Sequence, residues 1–98
     1  MKFLAGIVSE VNGEPGEPGL LVIYEKNDFI VLLIFSLKGI CLGDSGYENW
    51  TDAFFYLKED FGLNREDIYE FDLEIDSRRP SSILTVIDRL RGLSTHDN

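Results

Sequence analysis

The residues most suggestive of chemistry run from Gly43 to Gly46, because the sequence Gly-Asp-Ser-Gly surrounds a nucleophilic serine in some hydrolases. A serine nucleophile needs a neighbouring histidine base that is itself held by a carboxylate. The only histidine is His96, close to the C-terminus, in a segment expected to be mobile. The sequence therefore predicts a turn at this string and no catalytic serine, since Gly, Asp and Ser are favoured in turns.

The single cysteine, Cys41, excludes a disulfide framework and a cysteine-based zinc site. It lies between Ile40 and Leu42 and has no evident base partner, so we expect a buried and unreactive side chain. The apolar run that begins at Phe3 is shorter than the core of a signal peptide, and a first β-strand is expected there. We expect a cytoplasmic protein that does not contact membranes.

Three alternating carboxylates, Asp72, Glu74 and Asp76, have the spacing that opens a calcium-binding loop. That loop needs a glycine where Ser77 stands and a bidentate glutamate where Ile83 stands. On a strand these carboxylates form a row along one face and not a cage. No Gly-rich phosphate loop is present either. The sequence therefore predicts no metal site, no cofactor and no catalytic residue.

The composition is that of an acidic globular domain. The 98 residues include 18 acids and 9 bases, which gives a net charge of −9, and 44% of the residues are apolar. This content of apolar residues supports a real core, and the length predicts a single α+β domain over 1–93 with a frayed tail over 94–98. The negative charge argues against direct binding of nucleic acid or of an anionic membrane.

Alternating apolar residues and chain breakers predict the order β-β-β-(β)-α-β-α. We expect an antiparallel β-meander of four to five strands with two helices packed on one face. The strand over 29–37 is apolar on both faces and needs cover on both sides or a central place. The expected strands are 3–11, 20–24, 29–37, 40–42 and 69–76. We also expect a breaker-rich loop over 12–19 and a turn at Asn27 and Asp28 that joins the second and third strands as a hairpin. The expected helices are 50–61, capped by Asn49 or Thr51 and ended by Gly62, and a last one from Ser81 or Ser82 to Arg91.

The negative charge is concentrated between residues 48 and 76. This segment holds ten acids and two bases, and therefore carries −8 of the net −9. The rest of the chain is nearly neutral. If the helix over 50–61 and the strand that follows pack side by side, as their adjacency in sequence suggests, they form one strongly negative zone.

Two aromatic side chains lie off the apolar stripe of this helix. At about 100° per residue the stripe that faces the sheet contains Trp50, Ala53, Phe54, Leu57 and Phe61. Phe55 and Tyr56 instead have Asp52, Glu59 and Asp60 as their angular neighbours. Exposed aromatics among carboxylates suit a surface that recognises a basic protein. The alternative is that the helix is covered on two sides and that Phe55 belongs to the core.

Four acids alternate with apolar residues over 69–76, which predicts a row of like charges spaced about 6.6 Å apart along the outer face of a strand. Like charges at this spacing cost stability, which makes a function plausible. The alternative is an ordinary solvated strand face. The partner-binding residues expected from both features together are Asp52, Phe55, Tyr56, Glu59, Asp60, Glu66, Asp67, Glu70, Asp72, Glu74 and Asp76.

These features favour a non-catalytic module that binds a basic protein. By analogy of class, the leading hypothesis is an inhibitor of the immunity-protein or antitoxin type that neutralises a basic partner such as a nuclease toxin. One alternative is an inhibitor that mimics nucleic acid, with carboxylates in place of phosphates. Another is a structural subunit that self-associates through the 29–37 strand. In that case the protein is a homodimer, and otherwise a monomer. A small enzyme is the least favoured alternative, because nothing places two carboxylates in a cleft.

Overall fold

A computed structural model of the chain describes residues 1–11 and 16–95. Five antiparallel strands form one sheet in the order β4-β3-β2-β1-β5. The strands are β1 (Lys2–Val8), β2 (Gly19–Lys26), β3 (Phe29–Ser36), β4 (Cys41–Tyr47) and β5 (Tyr69–Asp72). The helices are α1 (Trp50–Phe61) and α2 (Pro80–Thr95), with a 3₁₀ turn at Arg65–Asp67. The predicted α+β class and the predicted order of elements are confirmed.

Local signals fix the ends of α1. The side chain of Asn49 accepts a hydrogen bond of 2.8 Å from the backbone N–H of Asp52, which satisfies one of the free donors at the helix start. Gly62 ends the helix in the left-handed conformation, at φ 68°, where a residue with a Cβ would be strained. The predicted helix over 50–61 and its end at Gly62 are confirmed, and of the two predicted N-cap candidates, Asn49 and Thr51, Asn49 is the cap.

A two-residue turn joins β2 to β3. Asn27 and Asp28 have φ values of 51° and 67°, which are typical of the turn type that matches the twist of a hairpin. Lys26 and Phe29 form the first pair of the ladder, and the pairing continues to Gly19 and Ser36. The predicted hairpin is therefore confirmed, and the two strands pair without a shift of register from the turn to Gly19 and Ser36.

The sheet is buried on both faces, because its central strands are apolar at successive positions. The four residues Leu20–Ile23 are all fully buried, with alternate residues in two separate core clusters. α2 covers one cluster with Ile83 and Ile87, and α1 covers the other with Ala53 and Leu57. Each fully buried aliphatic side chain contributes about 1.5–3 kcal/mol. The helices therefore lie on opposite faces, and the prediction that both pack on one face is wrong.

Three strands differ from the prediction. β1 ends at Val8, where a strand over 3–11 was expected. β4 runs over Cys41–Tyr47, where a short strand and then a loop were expected, because β3 offers it a full ladder from Ile30 to Phe35. The expected strand at 69–76 ends at Asp72, since Asp72 pairs with Lys2 and β1 begins there. Cys41 is exposed and not buried, because β4 is an edge strand.

Two predicted features fall at the limits of the described residues. The breaker-rich loop predicted over 12–19 includes 12–15, which lie outside them. On either side of these residues, the N–H of Val11 donates a hydrogen bond of 2.7 Å to the carbonyl of Glu17. The predicted tail over 94–98 overlaps the end of α2 at Thr95, and residues 96–98, with His96, again lie outside. Within the described ranges, no helix is both long and apolar enough to cross a membrane.

Candidate protein-binding surface

The orientation of α1 determines whether Phe55 and Tyr56, the two aromatic residues off its apolar stripe, are buried or exposed. Ala53 and Leu57 are completely buried against the sheet, which turns the opposite side of the helix towards solvent. Phe55 is 57% exposed and Tyr56 is 44% exposed. Of the two alternatives for Phe55, the exposed position is therefore the observed one. An exposed phenylalanine next to an exposed tyrosine is a larger apolar patch than isolated surface residues make.

Three aromatic rings form a continuous group that joins α1 to the sheet edge. The rings of Phe55 and Tyr56 meet edge to face, with centroids 5.2 Å apart and planes at 85°. Tyr56 in turn stacks on Tyr47 of β4, with centroids 5.7 Å apart and planes at 12°. Such contacts hold rings in defined positions, each by about 0.5–1.5 kcal/mol beyond the burial of area. The aromatic group is therefore pre-organised for binding.

Carboxylates surround this aromatic group. Asp52, Glu59 and Asp60 are exposed, and the ion pairs recorded among the described residues involve none of them. Partial burial raises the pKa of the Tyr47 phenol above its ordinary value, and the negative charge of Asp60 adds to this rise. We call these carboxylates and the aromatic residues together the α1 surface. It consists of Tyr47, Asp52, Phe55, Tyr56, Glu59 and Asp60.

The other acids predicted to bind a partner lie outside the α1 surface. Glu66 and Asp67 belong to the 3₁₀ turn, and Glu70 and Asp72 belong to β5. β4 and β5 are the two opposite edges of the sheet, about 19 Å apart at the usual spacing between strands. The negative zone predicted over 48–76 is thus divided into two groups, one around α1 near β4 and one around β5.

The predicted row of four carboxylates is not a row in the structure. β5 ends at Asp72, so Glu74 and Asp76 are not strand residues. The N-terminal ammonium of Met1 lies 3.2 Å from Asp72 and 3.5 Å from Glu74. Because these two carboxylates share one cation and the regular spacing ends at Asp72, the prediction of an evenly spaced row is wrong.

Asp76 has a local structural role at the start of α2. Its carboxylate accepts hydrogen bonds from the backbone N–H of Arg78, at 2.9 Å, and from Nε of the same residue, at 3.2 Å. These bonds hold the pKa of Asp76 below its usual range, the backbone bond having the largest effect. The backbone N–H of Asp76 donates to Oγ of Ser82, which fixes this turn to the helix. Asp76 is therefore occupied within the chain.

Sequence reasoning missed Tyr47, the residue that connects α1 to the sheet edge. Gly43–Gly46 is poor in residues that favour strands, so the sequence predicts a loop up to Tyr47. The signal that was available is the long apolar strand before it, which needs a partner on each side. Ser45 lies exposed on the same strand. Among the residues that the structure describes, no group of three or more His, Cys, Asp or Glu side chains is placed to hold a metal ion.

Two open clefts, each of about 600 Å³, lie away from the α1 surface. One is lined by Trp50, Phe54 and Arg65, whose guanidinium lies 4.1 Å from the centre of the Phe54 ring. The other is lined by Met1 and the turn that holds Asp76. In this second cleft the ammonium of Met1 pairs with Glu74, and Arg78 and Arg79 pair with Asp76.

Comparison with known proteins adds no relative. No protein-family model matches the chain, and no curated protein or solved structure matches it significantly.

Proposed function

We propose that this protein is a non-catalytic module that binds a basic protein through the α1 surface, and that it acts as an inhibitor of the immunity-protein or antitoxin type. The observation that carries the proposal is the exposure of Phe55 and Tyr56 among Asp52, Glu59 and Asp60. Exposed aromatics supply affinity when a partner buries them. The ion pairs among the described residues involve none of these carboxylates, and they attract a partner that carries the opposite charge.

Binding proceeds in two stages in this account. The net charge of −9 and the carboxylates of the α1 surface speed the approach of a basic partner. The rings of Phe55 and Tyr56 then enter an apolar depression on the partner, and the surrounding carboxylates pair with its Lys and Arg side chains. The basic residues of a nuclease, which contact nucleic acid, provide suitable chemistry. Occupying them blocks the partner's substrate.

We favour recognition through aromatic residues over mimicry of nucleic acid. Mimicry needs carboxylates at regular phosphate-like intervals, and the regular spacing of the β5 acids ends at Asp72. The α1 surface instead combines few charges with a large apolar group. The same proposal places the protein in the cytoplasm, where the exposed thiol of Cys41 stays reduced.

The experiment that tests the proposal is capture from a native lysate by the immobilised protein, with washes at low and high salt. Three forms are compared: the wild type, a Phe55→Ala/Tyr56→Ala variant and a Phe29→Ala control. Phe29 is as exposed as Phe55, at 58%, but lies on β3. A basic protein retained by the wild type and the control, released by salt and lost from the double variant, supports the proposal. Retention by all three forms, or by none, contradicts it.

A further inference from the structure

The two edges of the sheet differ in how they are protected. β5 has only four residues, and its Asp72 is held by the N-terminal ammonium. β4 has seven residues, pairs with β3 on one side and, in the part of the chain that the structure describes, has no strand on the other. Edge strands are usually blocked by Lys, Pro or short length, because their free backbone groups pair with other chains. β4 contains neither Lys nor Pro, so it is an open edge.

The register shows which backbone groups of β4 are available. Lys26 and Phe29 pair next to the two-residue turn, so Phe29 directs its N–H and C=O towards β2. The alternation then directs Ile30 and Leu32 towards β4, where their partners are Tyr47 and Ser45. Gly46 lies between these two partners, and Asp44 precedes Ser45. Both therefore direct their backbone N–H and C=O away from the sheet.

Small side chains leave these outward groups accessible. A Cβ added at Gly43 would meet no atom within 4 Å, and one at Gly46 would meet only the carbonyl of Ile30, at 3.7 Å. Asp44 and Ser45 are exposed as well. The exposure of Asp44, Ser45 and Gly46 and the open space at Gly43 and Gly46 leave room for an extended chain beside the middle of β4.

The charge around β4 indicates which kind of chain can pair with its open edge. Residues 41–60 contain five acids and a single base, Lys58. Asp44 lies on the edge itself, and Asp60 acts electrostatically on Tyr47 at the end of the strand. A second copy of this chain would bring another net charge of −9 and a second Asp44 against the first, and like charges across a ladder are destabilising. A basic extended segment is complementary in charge.

We propose, on the basis of the function proposed above, that β4 is the docking edge for a basic, extended segment of the partner, which pairs with it as a sixth strand. Backbone hydrogen bonds from Asp44 and Gly46 hold this segment. Ser45 and Tyr47 pair with Leu32 and Ile30, which contact α1, so their side chains lie on the α1 side of the sheet. Side chains on that side of the added strand therefore reach the rings of Tyr47 and Tyr56. The open edge and the α1 surface form one continuous interface.

The test uses two short capped peptides as probes: one alternates lysine and valine, and the other has proline in place of each valine. Both carry the same charge, but proline removes the backbone donor at every second position of the other peptide, so only the first can pair with β4 in either register. The wild type should bind the first peptide, and its Gly46→Pro variant should bind it about tenfold more weakly, since the outward donor is lost. Gly46→Ala keeps that donor and should bind like the wild type. In the wild type, the peptide should slow hydrogen exchange of the Asp44 and Gly46 amides. This measurement uses the wild type alone, so it does not depend on whether a variant folds.

Each other outcome overturns part of this account. If both peptides bind equally, and the Asp44 and Gly46 amides exchange as fast as without peptide, the docking edge is wrong and the acidic binding surface stands. If neither peptide binds, the proposed function fails together with the docking edge. If sedimentation of the protein alone shows a dimer that Gly46→Pro dissociates, the edge belongs to a second copy of the chain and not to a basic segment.

Discussion

Tyr56 of α1 stacks on Tyr47 of β4, with ring centroids 5.7 Å apart and planes only 12° from parallel. This contact fixes the outer side of the helix against the open edge of the sheet. It thereby places the exposed ring of Phe55 and the carboxylates of α1 close to the edge strand β4. The proposed binding function depends on this pair.

The coupling between these two rings can be measured by a double-mutant cycle of Tyr47→Leu and Tyr56→Leu. The two substitutions together should cost less than the sum of the single ones, with a coupling free energy of about 0.5–1.5 kcal/mol, because the stacked contact is lost only once. The measurement is denaturant unfolding of the four proteins. Strictly additive costs would show that the rings are neighbours without mutual stabilisation.

The exposed ring of Phe55 should contribute more to binding than to folding. Phe55→Ala should lower the free energy of unfolding by no more than about 0.5–1.5 kcal/mol, since the side chain is 57% exposed and loses only its edge-to-face contact with Tyr56. It should weaken partner binding by about 2 kcal/mol, or roughly thirtyfold, if the ring is buried on association. Calorimetry of unfolding and of binding measures the two effects. Phe29 has equal exposure and lies on β3, so Phe29→Ala is the matched control. It should not weaken partner binding or change the free energy of unfolding by the amounts expected for Phe55→Ala.

Gly19 is required where the loop after β1 returns to the sheet. A Cβ at this position would lie 2.5 Å from Cγ1 of Val11 and 2.7 Å from the carbonyl oxygen of Phe35. Gly19→Ala should therefore destabilise the protein by about 1–3 kcal/mol. Gly43→Ala, on the open side of β4, should cost less than about 0.5 kcal/mol. Thermal unfolding distinguishes the two variants, and equal costs would contradict the close approach at Gly19.

Asp76 should titrate below its ordinary pKa of 3.8, because its carboxylate accepts hydrogen bonds from Arg78. A lowered pKa in the folded state means that the charged form stabilises the fold. This stability is present above the ordinary pKa and is lost as the pH falls through the lowered value. Carbon NMR of the carboxyl groups, assigned with Asp76→Asn, measures the midpoint. A midpoint at or above 3.8 would show that the turn does not favour the charged carboxylate.

Local signals in the sequence were sufficient for α1 and for the hairpin. Asn49 and Gly62 cap the helix through bonds to nearby backbone, and Asn27 and Asp28 form the turn from their own conformational preferences. The apolar stripe of α1 predicted which side is buried. It did not predict whether Phe55 was covered by a further element, because that depends on the position of α2.

Features that depend on distant residues were not predictable in the same way. β4 is a strand because β3 pairs with it, although Gly43–Gly46 resembles a turn. β5 stops at Asp72 because β1 starts at Lys2. The helices occupy opposite faces because both faces of β2 are apolar. That last signal was present in Leu20–Ile23, where apolar residues are successive and not alternating.

The most direct test of the central claim is the association rate of the captured basic partner with this protein at two ionic strengths. From about 0.01 M to about 0.15 M salt the screening length falls from about 30 Å to about 8 Å. The rate should fall at least about tenfold for the wild type, and clearly less for Glu59→Gln/Asp60→Asn, while Asp88→Asn on α2 should behave like the wild type. A rate that is the same at both ionic strengths would contradict electrostatic capture by the α1 surface.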